Sequence, residues 1–241
     1  MINVVIPMAG MGSRFSDAGF ENPKPFIDVA GKPMIERVLD NLSAPDVRFI
    51  LLAREEHIKN YSKFINAIKK TYNSVIFPIS DLTQGTACTV LLARNLINDD
   101  TPMIIANSDQ IIDINFSDYI NDALSRDLDG SILTFSNLDK NPKWSFAKLD
   151  QNNHVTQVAE KKPISTYATV GIYYFKKGSD FIEGAIDMIL QQDTTNGEYY
   201  SCPVYNYLIN KRLIVGIYNM EESEMHGIGT PEDLNRYLNK N

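Results

Sequence analysis

Four short apolar runs in the first half of the chain restrict its fold more than any other feature. They are INVVIPM, VRFILLA, NSVIFPI and PMIIANSD, which have the β-branched composition and the length of buried parallel strands. Helical patterns lie between them, with apolar stripes after Pro33 and around Ile65, and a third helix is predicted for TACTVLLARNLI. Over residues 1–125 this alternation predicts a doubly wound, mostly parallel α/β sheet with crossover helices.

The second half of the chain has a different pattern. SFAKLD, HVTQVAE and TVGIYYF are shorter strand candidates separated by turn residues, which predicts a mixed edge to the sheet. Helices are expected at DFIEGAIDMIL, SCPVYNYLI and PEDLNRYL, the last capped by Thr230. No repeat or linker separates the halves, so we expect a single domain over 1–241, with halves of about 1–125 and 126–241.

Composition excludes several classes of protein. The formal net charge of −7 argues against binding to nucleic acid or to a membrane surface, because both need clustered Lys and Arg. Cys88 and Cys202 are far apart, which disfavours a disulfide framework or a thiolate zinc site. The first residues lack a basic signal sequence and no apolar run approaches about 20 residues, so we expect a soluble, cytoplasmic protein.

The segment PMAGMGSRF, residues 7–15, places two glycines and an arginine between a strand and a helix. It is not a GxGxxG motif, because Phe15 occupies the third glycine position, and it is not a GxxxxGK[ST] loop. Gly10 and Gly12 allow backbone N–H groups to converge on an anion, and Arg14 adds a planar cation for phosphate oxygens. Lys24 follows between two prolines that stiffen the backbone. Taken alone, however, a glycine-rich turn is a common connector.

The order of the motifs along the chain favours a phosphate-binding loop over a simple connector. The strand, AGMGSRF, PKP and GKPMIERVL follow one another within about 35 residues. This series resembles the nucleotidyltransferase family that includes the sugar-1-phosphate nucleotidyltransferases (thymidylyl-, uridylyl- and cytidylyltransferases for glucose 1-phosphate). The resemblance implies a Rossmann-like, GT-A-type sheet, with a nucleotide-binding first half and an acceptor-binding second half.

The resemblance also implies roles for individual residues toward the nucleotide. Arg14 and Lys24 are expected to act as catalytic cations on the phosphates. TQGTACTV is similar to the segment that contacts the base, although the sequence does not show which base is bound. The expected nucleotide-binding residues are Ala9, Gly10, Met11, Gly12, Ser13, Gln84, Gly85, Thr86 and Asn107.

A metal site is expected at NSDQ. Asp109 ends a buried strand, where ligands bind in open α/β sheets, and a carboxylate there suits Mg²⁺. In the family this segment supplies the metal-binding aspartate, so Asp109 is the expected ligand. Many family members have a second aspartate where this chain has Gly227. Water is the favoured substitute, while His226 or another carboxylate remain alternatives.

The acceptor site is expected around EKKP, which resembles a family segment that binds the acceptor. Glu160 is expected to bind acceptor hydroxyls and one adjacent lysine its phosphate. On a strand, Lys161 and Lys162 would point to opposite faces, and we choose Lys161 as the catalytic one. Gly171 is expected to leave room for the acceptor, with a β-bulge as the alternative.

Three further positions have less defined expectations. Glu198, in NGEYYSCPVYN, is expected to line the acceptor pocket with the two following tyrosines, although packing at a helix start explains this segment equally well. Trp144 and His57 have no assignable chemistry and are expected to pack against other side chains.

The expected reaction is Mg²⁺-dependent nucleotidyl transfer from an NTP to a phosphorylated acceptor, a sugar 1-phosphate in the first instance. The alternatives are a cytidylyltransferase acting on a polyol or amino-alcohol phosphate, and a catalytically silent regulatory subunit of the same fold. A glycosyltransferase is disfavoured because NSDQ is not a DxD motif. The expected partners are the NTP and the small-molecule acceptor, and a homo-oligomer is left open.

Overall fold

The computed structural model describes residues 1–240, and Asn241, the last residue of the predicted second half, lies outside the described residues. The strands are β1 (Ile2–Pro7), β2 (Asp28–Val29), β3 (Lys32–Pro33), β4 (Val47–Arg54), β5 (Ser74–Ile79), β6 (Met103–Ala106), β7 (Gln110–Ile112), β8 (Gly130–Ser136), β9 (Phe146–Leu149), β10 (Val155–Ala159), β11 (Tyr167–Phe175), β12 (Val215–Met220) and β13 (Met225–Gly227). The helices are α1 (Ser13–Asp17), α2 (Met34–Asn41), α3 (Glu55–Asn60), α4 (Ser62–Thr71), α5 (Thr86–Leu92), α6 (Phe116–Ser125), α7 (Gly178–Leu190), α8 (Val204–Asn210) and α9 (Pro231–Leu238). Short 3-10 turns cover Lys24–Phe26, Arg94–Leu96 and Glu222–Glu224.

One nine-stranded sheet contains strands from both halves of the chain. β1 pairs in parallel with β4 and with β6, and β4 pairs in parallel with β5. β11 pairs antiparallel with β6, β8 and β9, and β12 adds to β8 in parallel. The predicted fold class, a doubly wound α/β sheet with a mixed second half, is confirmed. The strands β8 and β12 were not identified from the sequence.

Helices cover both faces of this sheet. Successive strand side chains point to opposite faces, and Val4 and Ile6 of β1 accordingly join one hydrophobic core while Val5 joins the other. The first core is completed by apolar side chains of α2, α4 and α6, and the second by those of α5, α7 and α8. Because helices bury both faces of the sheet, the parallel strands have continuous apolar sequences.

Several helix boundaries differ from the sequence prediction. α2 begins at Met34, because Pro33 has an extended ψ of 142° and pairs in β3 instead of opening the helix. The stripe around Ile65 is divided into α3 and α4 at Tyr61, whose φ of −114° and ψ of 33° interrupt the helix. The predicted cap of α9 is confirmed, since the Thr230 side chain accepts a hydrogen bond from the Asp233 N–H.

His57 packs as expected: it is buried, and its ring lies 6.0 Å from that of Phe26, in the turn that carries Lys24. Within residues 1–240, no helix has the length and apolar character needed to cross a bilayer.

The sheet order places a crevice at one edge. From β1 the chain proceeds to β4 and β5 on one side, and it then crosses to β6 on the other side. Ligands of open α/β sheets bind outside the carboxyl ends of the strands at such a switch point. The loop after β1 and the segment 107–109 after β6 both start at this edge.

Candidate active site

The largest concentration of predicted site residues lines a cavity of 470 Å³ at the switch point, here called the main cavity. Its floor is the loop after β1, and its sides come from the start of α5 and the end of β6. Of the predicted residues, it is lined by Ala9, Gly10, Met11, Gly12, Lys24, Gly85, Thr86, Asn107, Asp109 and Glu198. Residues separated by more than a hundred positions in sequence are thus brought together around one space.

Lys24 and Asp109 form the central ion pair of the main cavity. The Lys24 ammonium donates to Oδ2 of Asp109, and the two side chains are 22% and 23% exposed. Gly229 leaves room for this arrangement, because a Cβ at that position would lie 2.3 Å from Asp109 Oδ2 and displace the carboxylate. Sequence reasoning missed Gly229, although it stands in the GIGT segment beside Gly227.

The glycine-rich loop brings its backbone close to Lys24. Gly12 has a left-handed φ of 65° and precedes α1. A Cβ on Gly12 would lie 3.0 Å from the Lys24 Cβ, so a side chain would crowd the lysine. Arg54 at the end of β4 donates to the Met11 sulfur at 3.0 Å. Arg54 is a cation beside the loop that the sequence analysis did not identify.

Ser13 and Arg14 line a separate cavity of 240 Å³, which shares Gly12 and Lys24 with the main cavity. Arg14 therefore lies near Lys24 but outside the lining of the main cavity. Its side chain is exposed and forms no ion pair within residues 1–240, so its charge is available to a ligand.

The start of α5 is held by a loop from the second half of the chain. The Tyr199 N–H donates to the Gln84 carbonyl at 2.9 Å, and the Tyr199 carbonyl accepts from the Ala87 N–H at 3.0 Å. The Gln84 side chain donates to the Gly197 carbonyl at 2.8 Å, which leaves it outside the main-cavity lining. The Thr86 hydroxyl accepts hydrogen bonds from Ser201.

Gly85→Ala is expected to lower the free energy of unfolding by about 1–3 kcal/mol. Gly85 has a φ of 105°, and an added Cβ would lie 2.4 Å from the Tyr199 carbonyl oxygen. Chemical denaturation measures the change. Gly227→Ala is the matched control, because its Cβ meets nothing within 4 Å. Equal stability of the two variants would contradict the close contact with Tyr199.

A second cavity of 240 Å³ adjoins the main cavity and shares Pro7, Thr86 and Asn107 with it. Glu160 lines this second cavity and accepts a hydrogen bond from the Ser145 hydroxyl. Burial raises the pKa of Glu160, although the hydrogen bond from Ser145 opposes the shift. A partly desolvated carboxylate is therefore positioned to bind hydroxyl donors of a ligand.

Gly171 lines the second cavity, and its lack of a side chain also leaves room for the Asn107 side chain. It has a φ of 90°, and a Cβ would lie 2.0 Å from Asn107 Nδ2. The register of β11 against β8 shifts between Thr169 and Tyr173, so Gly171 lies in a β-bulge, the alternative reading of this position. Both the bulge and the cavity position are thus present.

The expectation that Lys161 and Lys162 lie on a strand, with side chains on opposite faces, is wrong. β10 ends at Ala159, and Lys161 lies in the following turn with a φ of 53°. Its ammonium donates to the Tyr200 hydroxyl at 2.6 Å, while Lys162 is exposed. Burial alone would lower the pKa of Lys161, but the hydrogen bond to Tyr200 and the nearby carboxylates raise it.

Glu198 is the residue predicted to line the acceptor pocket together with the two tyrosines that follow it. It lines the main cavity and accepts a hydrogen bond from the Tyr200 hydroxyl, whereas Tyr200 itself lines the second cavity. The pKa of Tyr200 is raised by burial and by this bond to Glu198. Tyr199 is buried and packs in the second core. The segment therefore contributes side chains to both cavities.

Trp144 and Lys143 were missed as site residues, and both line the second cavity. The Lys143 ammonium lies 4.6 Å from the centroid of the Trp144 ring. The signal available in sequence was NPKW, a polar turn that carries an aromatic residue. Its spatial relation to Glu160 is not visible in sequence.

His226 is directed away from the main cavity. Its Nε2 lies 2.7 Å from Asp113 Oδ2, and it lines a third cavity of 480 Å³ with Gly227 and residues of α9. Within residues 1–240, no three His, Cys, Asp or Glu side chains form a metal-binding group. Asp109 and Glu198 are the two carboxylates that line the main cavity.

The chain is similar to known nucleotidyltransferases over most of its length. The family model described as Nucleotidyl transferase matches residues 3–198. The chain is 27% identical over 248 residues to the bifunctional protein GlmU of Methanococcus aeolicus, covering 100% of this chain and 55% of that protein. It is 26% identical over 183 residues to the mannose-1-phosphate guanylyltransferase catalytic subunit beta of Dictyostelium discoideum, covering 72% of this chain and 49% of that protein. The chain thus spans about half the length of these curated relatives.

A solved structure agrees over nearly the whole chain. The nucleoside-diphosphate-sugar pyrophosphorylase from Vibrio cholerae RC9 superposes with a TM-score of 0.84 at 28% identity, covering 98% of this chain and 99% of that chain. A glucose-1-phosphate thymidylyltransferase from Bacillus anthracis, described as putative, has the same fold with a TM-score of 0.80 at 21% identity. Because the family model covers most of the described residues and includes the loop, Lys24, Asp109 and Glu160, the chain belongs to the nucleotidyl transferase family.

Proposed function

We propose that the protein transfers a nucleotidyl group from an NTP to a sugar 1-phosphate, giving an NDP-sugar and pyrophosphate. The observation that carries this proposal is the junction of two cavities at the switch point. One is lined by the glycine-rich loop and the Lys24–Asp109 pair, and the other by the half-buried carboxylate of Glu160. Membership of the family supports the same reaction class.

The chemistry required is an in-line displacement. An oxygen of the acceptor phosphate forms a bond to the α-phosphorus of the NTP, and the bond between the α-phosphorus and the bridging oxygen breaks to release pyrophosphate. The attacking phosphate is already an anion, so no strong general base is needed. The main barrier is repulsion between anions, which placed cations reduce.

The residues of the chain suit separate parts of this task. We assign the loop N–H groups and Arg14 to the β- and γ-phosphates, and Lys24 to the α-phosphate. Lys161 is assigned to the incoming phosphate. Gly85 and Thr86 are assigned to the base, with Gln84 as a support for the loop at Gly197.

Mg²⁺ is part of the proposal. This ion takes oxygen ligands, keeps several waters and is usually bound by one or two carboxylates plus substrate phosphates. Lys24 donates to Oδ2 of Asp109, Oδ1 has no hydrogen-bond partner among residues 1–240, and Asp109 lines the main cavity. When bound, the ion would neutralise charge on the phosphates. Water is the proposed substitute for the carboxylate that Gly227 lacks.

The proposal is tested with the purified chain in two steps. Thermal shift with CTP, UTP, dTTP, GTP and ATP, each with Mg²⁺, is expected to show stabilisation by at least one nucleotide. Pyrophosphate release is then measured with that nucleotide and a panel of phosphorylated acceptors. Stabilisation without release on any sugar 1-phosphate would contradict the proposal, and release with a polyol or amino-alcohol phosphate would favour the cytidylyltransferase alternative. No stabilisation by any NTP would favour the silent subunit.

The KM for the acceptor is expected to rise as the pH falls through the raised pKa of Glu160, above the ordinary value of 4.5. Protonation removes a charged acceptor of hydrogen bonds, so acceptor hydroxyls are held less tightly. Burial also makes ionisation of Glu160 less favourable in the folded protein than in the unfolded chain. The contribution of Glu160 to the free energy of unfolding is therefore fully present below its unfolded pKa, and it is lost as the pH rises through the raised pKa of the folded protein.

The measurement is a pH profile of acceptor KM for the wild type and Glu160→Gln. Glu160→Gln is expected to have a higher KM and to lack this dependence on pH. Because titration of the acceptor phosphate affects both proteins alike, only the difference between their profiles reports on Glu160. Parallel profiles would contradict the assignment.

A further inference from the structure

Lys143 is a cation with no role in the reaction described above. It lies in the turn between β8 and β9 and lines both the second and the third cavity. Its ammonium lies over the Trp144 ring, and it forms no ion pair within residues 1–240. An unpaired ammonium at the opening of a ligand cavity is available for an anionic group of the ligand.

The second cavity lies between the main and third cavities, and this arrangement shows which end of a bound acceptor would lie near Lys143. The main and second cavities share Pro7, Thr86 and Asn107, whereas the second and third share Lys143 and Trp144. Among residues 1–240, none lines both the main and the third cavity. The acceptor phosphate must face the main cavity to reach the α-phosphorus. Lys143 therefore lies away from the phosphate, where another group of the acceptor would be.

A different lysine is available for the phosphate. Lys161 donates to the Tyr200 hydroxyl, which in turn donates to Glu198 in the main cavity. Lys161 lines none of the cavities itself, but these hydrogen bonds connect its ammonium to Tyr200 in the second cavity and to Glu198 in the main cavity. The two lysines thus differ in position, and Lys143 is not needed to neutralise the phosphate.

The aromatic rings of the second cavity argue against a cationic acceptor. The Lys161 ammonium lies 4.3 Å from the centroid of the Tyr200 ring, and Lys143 covers a face of Trp144 in the same way. An amino-alcohol phosphate would bring its ammonium close to rings that already have a lysine ammonium over one face, and the like charges would repel each other. An anionic group would be attracted to Lys143, where the second cavity borders the third, while sugar hydroxyls would bind the carboxylate of Glu160.

We propose that Lys143 is a specificity-determining residue that binds a carboxylate on the acceptor, at the end remote from the phosphate. The acceptor class is then the 1-phosphate of a sugar acid. This inference rests on the proposed function, because the direction of the acceptor follows from nucleotidyl transfer at the junction of the main and second cavities.

The test compares two probes that differ at one carbon, D-glucuronate 1-phosphate and D-glucose 1-phosphate. Dissociation constants are measured by calorimetry with the full chain and with Lys143→Gln. The wild type is expected to bind the acid about tenfold more tightly, as one charge-assisted contact provides, and Lys143→Gln is expected to bind both probes alike. Lys148→Gln is the control, because Lys148 is an exposed lysine on β9 outside these cavities and should leave the preference unchanged.

A wild type that does not bind the acid more tightly than the neutral sugar, including one that binds neither, overturns the proposal. A preference that survives Lys143→Gln overturns it as well. Failure of the proposed function is separately visible, since these are binding measurements without turnover. A preference that depends on Lys143 in a protein that releases no pyrophosphate would retain the subsite and reject nucleotidyl transfer.

Discussion

Asp109→Asn is expected to reduce the rate of pyrophosphate release by about a hundredfold or more, with the fold retained. The substitution keeps the size of the side chain and removes the charge that pairs with Lys24. In the proposed mechanism it also removes the carboxylate that would hold Mg²⁺ against the phosphates. Initial rates under saturating NTP and acceptor measure the loss.

Asp113→Asn is the matched control for this variant. Asp113 follows β7, pairs with His226 and lies outside the main-cavity lining. Its replacement should leave the rate within about threefold, because Asp113 lines neither the main nor the second cavity. The Mg²⁺-dependent part of the thermal stabilisation by NTP should be lost in Asp109→Asn alone. A folded Asp109→Asn protein with the activity of Asp113→Asn would contradict the role of Asp109.

Arg14→Ala is expected to cost about 3 kcal/mol of transition-state stabilisation, or roughly a hundredfold in rate. Arg14 is exposed at the start of α1, so its removal should change the free energy of unfolding by less than about 0.5 kcal/mol. Its free charge near Lys24 is the reason to expect a large effect on the phosphates. Steady-state kinetics with varied NTP, together with thermal melts, separates catalysis from folding.

Two further variants show whether the effect depends on the guanidinium of Arg14 and is specific to its position. Arg14→Lys should recover only part of the rate, because an ammonium lacks the planar, bidentate geometry of the guanidinium. Arg94→Ala removes an exposed arginine from a 3-10 turn that lines none of the cavities described, and should behave as the wild type. Near-normal pyrophosphate release by a folded Arg14→Ala protein would rule out the role assigned to Arg14.

Local sequence patterns predicted the architecture well because strands and helices depend on short-range periodicity. The parallel strands β1, β4, β5 and β6 were identified from apolar runs, since a strand covered by helices on both faces needs apolar residues throughout. Errors arose where backbone conformation departs from the local pattern. Tyr61 divides a single apolar stripe into two helices, and Lys161 lies in a turn although the residues before it form a strand.

Part of the candidate site could be predicted as well, because some of its residues belong to short local motifs. The loop, Lys24 and Asp109 belong to segments that end regular elements, so their motifs are local in sequence. Trp144 and Lys143 were missed because a polar turn has no pattern that shows which cavity it borders. Glu198 and Tyr200 line different cavities although they are only two positions apart, and the sequence of an irregular segment does not show this.

By itself, the sequence determined the α/β class, the family and most of the residues at the carboxyl edge of the sheet. Only the tertiary structure decided which side chains meet. Lys24 and Asp109 are 85 residues apart, and Lys161 and Tyr200 are 39 apart, so each contact depends on how the sheet and its loops pack. Hydrophobic periodicity is a property of a short segment, whereas a cavity is formed by segments that pack together after the whole sheet has assembled.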